Sequence, residues 1–280
     1  MSAASWPPRA IQALPRGMWS CHHEAMSAQA NSARENSTRE IWLAGVDGCP
    51  SGWIVAFAPA DLSGVRVRLV PRFIDVFAAP EAPAVIAIDV PIGLPERAGY
   101  GGRAAENAVR PLLGARQSSV FSVPSRAAIV ARDYREACRI ALATSEPPRK
   151  VSKQLFMLAP KIREVDAALR ADVTLSQRVF EVHPEVAFWR LNGDVALSEP
   201  KKVKSRPYEP GLALRRRLLI SAGLPAAAVE ASPPKGAGPD DLIDALACAA
   251  IARRIHADEA RPFPDPLERD AFGLRMAIWA

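Results

Sequence analysis

Residues Ala84 to Val90 read AVIAIDV, an almost unbroken apolar and β-branched run with one carboxylate near its end. A run that is apolar at successive positions, rather than at alternate ones, suits a strand covered on both faces. Pro91 and Gly93 stop it. This segment calls for helices above and below a sheet, and so for an α/β architecture. The composition allows it: 280 residues, 49% hydrophobic and 24% charged, are enough for a sizeable buried core.

The neighbouring segments complete the sheet. Ile41 to Val46 is a short apolar run that ends in Asp47-Gly48, a strand entering a turn, and Gly52 to Ala58 is a second strand. Val65 to Val70 alternates apolar residues with Arg, which predicts one buried and one wet face. Short connections make these three an antiparallel meander. Arg178 to His183 predicts a further strand, so the expected sheet is five-stranded and mixed. Helices are expected at Arg126–Thr144, capped by Ser125, and after Ser152, with Pro160 kinking or splitting the latter. Others are expected from Pro184 to Gly193, over Leu212–Ala222, and from Asp240 to about His256, with Ala105 to Arg170 forming a helical insertion.

Residues 1–40 are rich in Ala, Ser, Arg and Pro and read as a disordered extension ahead of one domain over 41–280, with Met18 and Met26 as alternative starts. Cys21, Cys49, Cys138 and Cys248 show neither a CxxC pair nor a disulfide-scaffold spacing, so a reduced, cytoplasmic location is expected. No stretch approaches the roughly 20 apolar residues that span a bilayer, and no membrane partner is expected. The formal net charge of +6 gives a mild preference for anionic partners.

The acids carry the chemical signal. Asp89 lies in a β-branched run, where a carboxylate is costly unless paired or bound to a cation. Asp47 ends the first strand in VDGCPSGW, whose plainer reading is a simple Asp-Gly turn. Asp241 and Asp244 share one helix face. Asp240 and Asp241 suit the positive end of a helix dipole, but Asp244 sits within an Ala-rich stretch, ALACAAIA, that implies close packing on the sheet. Glu181 lies between Phe180 and Val182 on a short strand, where a lone Glu is usually on the wet face. Together such acids suit Mg²⁺ or Mn²⁺, which favour oxygen ligands and assist phosphodiester cleavage.

The motifs GVDGCPSGW, AIDVPIGLP, LLGARQSSVFSVPSRAA, EVHPEVAFWRLNG and DDLIDALACA, in this order and followed by GLRMAIWA, resemble domain of unknown function family 429. The resemblance covers about Ile41 to Ala280. Members of that family are predicted RNase H-like nucleases. It implies an RNase H-like sheet, three antiparallel strands and then two parallel ones, with acids on the first strand, the fourth strand and the last helix. Those roles fall on Asp47, Asp89, and Asp241 with Asp244, and Glu181 becomes an extra, family-specific acid. Glu106 stands where the family pattern leads one to expect Asp.

Basic residues offer a phosphate surface: Arg103, Arg110, Arg116 and Arg126 surround the SSVF motif, and Lys201, Lys202, Lys204 and Arg206 form a basic loop. Arg116, Ser118, Ser119, Arg126, His183 and Lys202 are the candidate substrate contacts. The leading expectation is a metal-dependent nuclease acting on DNA or RNA. The alternatives are a non-catalytic nucleic-acid or protein interaction module on the same fold, and an actin-like nucleotide phosphotransferase.

Overall fold

The computed structural model describes residues 40–204 and 206–280. The expected extension at the N-terminus therefore lies, up to residue 39, outside the described residues. Three strands open the fold: β1 (Trp42–Cys49), β2 (Gly52–Pro59) and β3 (Arg66–Val70). They pair antiparallel as a meander, with β1–β2 running from Trp42–Pro59 to Cys49–Gly52. Strand β4 (Val85–Ile88) then pairs parallel with β1, and β5 (Val179–Glu181) parallel with β4.

The sheet does not stop there. It has seven strands, in the order β3-β2-β1-β4-β5-β9-β8, not five. The added pair is β8 (Pro262–Arg269) and β9 (Arg275–Trp279), which are antiparallel to each other, with β9 parallel to β5. Pro262, Pro264 and Pro266 give β8 the composition of a loop, yet proline is admissible on an edge strand, which has no outer partner to receive an N–H. A two-stranded ribbon of β6 (Lys202–Val203) and β7 (Arg206–Pro207) stands apart from the sheet.

Alternation along the central strands sends side chains into two cores. Leu43, Ile54, Ala56 and Ala87 face one layer. It is built by helices α6 (Glu209–Ser221) and α8 (Pro239–His256). Ala44, Val46, Val55, Phe57, Ile86 and Ile88 face the other, where α4 (Lys153–Ala171) supplies Leu155, Ile162, Val165 and Leu169. The run AVIAIDV is thus covered on both sides.

Two helical expectations change. Arg126 to Thr144 is not one helix but two, α2 (Arg126–Val130) and α3 (Tyr134–Ala143). Asp133 starts the second by accepting the Glu136 N–H at 3.0 Å. Pro160 does not split α4, which runs from Lys153 to Ala171 with Pro160 on its exposed face. The remaining helices are α1 (Ala104–Val109), α5 (Pro184–Leu191) and the short α7 (Ala226–Val229). None of the described helices is long and apolar enough to cross a membrane.

Candidate functional site

Strands β1 and β4 are parallel and in register from Leu43–Val85 to Val46–Ile88. The ladder continues one step further, with the Asp89 N–H donating to the Val46 carbonyl at 3.0 Å. Asp47 and Asp89 therefore stand at the carboxyl ends of neighbouring parallel strands, where an open α/β sheet leaves its crevice.

The third acid arrives through backbone packing. A Cβ at Gly45 would overlap the Ala245 carbonyl oxygen and the Ala249 amide nitrogen, so α8 lies directly on β1 at this point. Its small side chains, Ala245, Ala249 and Ala252, are what permit that approach. Asp244 precedes Ala245, and Asp47 follows Gly45 by two positions, so this contact sets the two carboxylates into one neighbourhood.

The electrostatics register the crowding. Burial, then Asp89, then Asp244 push the Asp47 carboxyl well above the usual carboxylate range. Asp89, half-buried, is pushed up to about 7 by burial and by Asp244. Asp244 is raised by burial, against the pull of Lys201.

Lys201 is the counter-charge. Its Nζ donates to Asp244 Oδ2. Burial opposes its charge, but Asp244, Asp47 and Asp89 together hold the ammonium well above the ordinary lysine value. The other oxygen of Asp244, Oδ1, is buried without a hydrogen-bond partner.

Lys201 is held by its own strand of chain. Its carbonyl accepts the Tyr208 N–H at 2.9 Å, and the Glu199 carbonyl accepts Arg215 Nη1 at 3.0 Å. Gly211 leaves room for Pro200, whose carbonyl a Cβ would overlap. Arg215 is fully buried and donates through Nη2 to both oxygens of Glu185, at 2.6 and 2.8 Å. The basic, amphipathic helix expected here thus turns one of its arginines inward.

Asp89, Lys201 and Lys202 line a cavity of about 360 Å³ together with Glu181 and Glu185 and the apolar Phe121, Leu155 and Leu158. Three carboxylates against one ammonium leave excess negative charge when all are ionised. Among the described residues, no three His, Cys, Asp or Glu side chains are drawn together as a ready ligand set. The donors are nevertheless of the right kind for a hard divalent cation: carboxylate oxygens, one of them buried and unpartnered.

A family model described as Protein of unknown function (DUF429) matches residues 45–269. The chain belongs to this family. No curated protein and no solved structure gives a match. The DUF429 match runs from the glycine that seats α8 to the last residue of β8, and so takes in each of these acids and Lys201.

Within this DUF429 chain the other candidates divide. Glu181 is not grouped with the three acids: it accepts Arg103 Nη2 at 2.5 Å, Arg103 Nη1 at 2.9 Å and the Ile92 N–H at 2.7 Å. Burial pushes its carboxyl up to about 7, against the pull of Arg103. Glu106 completes that buried network through Arg103 Nε at 2.8 Å and Nη2 at 2.6 Å, which gives the position a structural role. Asp241 accepts the Gly238 N–H at 2.8 Å and caps α8, although it adds to the field on Asp47.

His183 lines the cavity but has both ring nitrogens engaged. Nδ1 accepts the Glu185 N–H at 3.2 Å, which leaves Nε2 as the donor to the Ser119 carbonyl at 3.3 Å. Burial lowers its pKa, in keeping with that neutral tautomer. Lys202 pairs with Asp240 at 2.5 Å at the cavity's edge. Ser119 lines the cavity, whereas Arg116 and the exposed Ser118 do not. Arg126 is committed elsewhere, to Asp166 and Asp270.

Lys201 and Glu185 were not singled out by sequence. Lys201 stands among Lys202, Lys204 and Arg206 in a stretch with no periodicity to say which side chain turns inward. Glu185 follows His183-Pro184 at a helix start, where an acid has the ordinary explanation of the dipole.

Proposed function

We propose that this DUF429 protein is a divalent-metal-dependent nuclease on an RNase H-like fold. The observation that carries the reading is the placing of Asp47 and Asp89 at adjacent strand ends, with Asp244 brought to that end by the Gly45 contact and paired with Lys201. The strand order β3-β2-β1-β4-β5, a meander followed by parallel strands, supports the fold assignment, with β9 and β8 as an extension of it.

In this reading Asp47, Asp89 and Asp244 hold Mg²⁺ or Mn²⁺. When bound, such an ion activates water and stabilises the leaving oxygen in phosphodiester hydrolysis. The chain's own contribution is orientation and charge. The β1–β4 ladder fixes two carboxylates, the Gly45 contact fixes the third, and Lys201 offsets part of their repulsion. Lys201 and Lys202 at the cavity's edge supply positive charge for a phosphate.

A panel of single-stranded, duplex and branched DNA and RNA, incubated with Mn²⁺, tests this. Cleavage by the wild type and its loss, by at least about 100-fold, in Asp89→Asn is the expected result. Cleavage undiminished in that variant would remove the mechanism.

The Lys201–Asp244 pair favours a second reading, a non-catalytic nucleic-acid module, because an ammonium already occupies one carboxylate. Nucleic acid bound equally with and without metal, and cut in neither case, would select it.

A further inference from the structure

Helix α1 meets two cavities. Glu106 lines the one beside the carboxylates, while Asn107 and Arg110 line a second, more open cavity of about 640 Å³. A single stretch of chain divides them: Ser119 and Val120 line the first, Ser118 and Val120 the second.

Tyr100 stands on the second cavity with 74% of its surface exposed. The Arg149 guanidinium lies 6.0 Å from its ring centroid. The turn that carries Tyr100 is fastened to α1. Asn107 Nδ2 donates to the Tyr100 carbonyl at 2.8 Å. Gly101 has φ +78°, and a Cβ there would run into Asn107 and Arg110. A large aromatic ring is thus held in water beside two arginines.

Arg110 donates to neutral acceptors, Asn107 Oδ1 at 3.0 Å, the Val120 carbonyl at 3.3 Å and Ser122 Oγ at 3.1 Å. Neither Arg110 nor Arg149 forms an ion pair among the described residues, and Glu106, one turn before Arg110, is taken by Arg103. Two guanidiniums facing one cavity suit a phosphate: Arg149 offers its donors, while Arg110, held by its neutral acceptors, adds fixed positive charge and one remaining Nη1 N–H. An exposed aromatic face next to them suits a stacked base. A base inside a duplex is already stacked and cannot offer its face, so the combination selects an unpaired strand.

We propose that the cavity of Tyr100, Arg110 and Arg149 is a binding subsite for single-stranded nucleic acid, with a phosphate on the guanidiniums and a base on Tyr100. The proposal rests on the nuclease reading and gives it a substrate class: a strand that is unpaired beside the cleaved bond.

Fluorescence anisotropy of a labelled short oligothymidylate, in EDTA and over a salt series, tests it on the full chain. Tyr100→Ala is expected to weaken binding roughly five- to 100-fold with little change in salt dependence. Arg149→Ala is expected to lower the slope of log affinity on log salt by about 0.7, the loss of one phosphate contact to a single strand. Binding of a blunt-ended duplex should change in neither variant. Oligothymidylate bound alike by wild type and both variants, or not bound by wild type, would overturn the proposal. So would displacement by millimolar inorganic phosphate together with unaltered binding in Tyr100→Ala, which would mark a simple anion site. Both side chains stand at the surface, and Mn²⁺ calorimetry on the same variants separates the two readings. Normal Mn²⁺ heats with no effect on oligothymidylate sink the strand subsite alone. Absent Mn²⁺ heats with the expected strand effects sink the metal site alone.

Discussion

At Asp89 burial and the like charge of Asp244 act together against the pull of Lys201, and the outcome sets a pH dependence. An aspartate titrates ordinarily near 3.8, and burial with Asp244 pushes this one up to about 7. Between those values the folded chain keeps a proton that the unfolded chain has lost, so this group's contribution to stability falls as pH rises through the window. Asparagine keeps the shape and removes the titration. Asp89→Asn is therefore expected to be more stable than wild type at pH 8 by on the order of 1 kcal/mol, or about 2–4 °C in Tm, and to lose the advantage near pH 4. Thermal melts across this range check it, and parallel pH profiles for the two proteins would contradict it. Asp89 and Asp244 were legible because each stands in an apolar context that a solvated acid would avoid, whereas Asp47 read equally well as an Asp-Gly turn and drew its role from the family resemblance. Glu181 met the same criterion and went elsewhere, because its partner Arg103 lies 78 positions away in sequence. Local pattern reports that an acid is buried, not which charge answers it.

At the scale of elements, the decisive contact is α8 on β1. Gly45 provides the space and the alanines the flat surface, and the contact delivers Asp244 to Asp47. Gly45→Ala is expected to push the helix off the strand, at a cost of about 3 kcal/mol or more in urea denaturation, and to weaken Mn²⁺ binding although no ligand has changed. Unchanged stability would mean that the backbones do not approach this closely. The close packing of the alanines on the sheet was readable in advance, and so were the meander and the central strand, whereas nothing local marked Gly45 as the seat of the helix. Strand β8 was not, since its prolines imitate a loop until the edge of the sheet is known. Nor was the break between α2 and α3, where Asp133 ends one pattern by capping the next and the apolar spacing barely changes.

Across the whole molecule, seven strands place the carboxyl ends of β1 and β4 well inside the sheet, with β3 and β8 at its edges. The acid cluster is thus held by the most buried part of the fold, covered by α8 on one face and α4 on the other. Around it the chain sets its positive charge unevenly: Lys201 and Lys202 at the carboxylate cavity, Arg110 and Arg149 at the second. A rigid acidic centre with cationic approaches is what a metal-assisted reaction on a phosphodiester requires. The measurement that tests this most directly is a Mn²⁺ titration by calorimetry, on wild type, Asp47→Asn and Asp244→Asn, with and without oligothymidylate. The account predicts saturable binding to the wild type and its loss in both variants. Wild-type protein that takes up no Mn²⁺ at millimolar concentration, with the oligonucleotide present as well as absent, would contradict it.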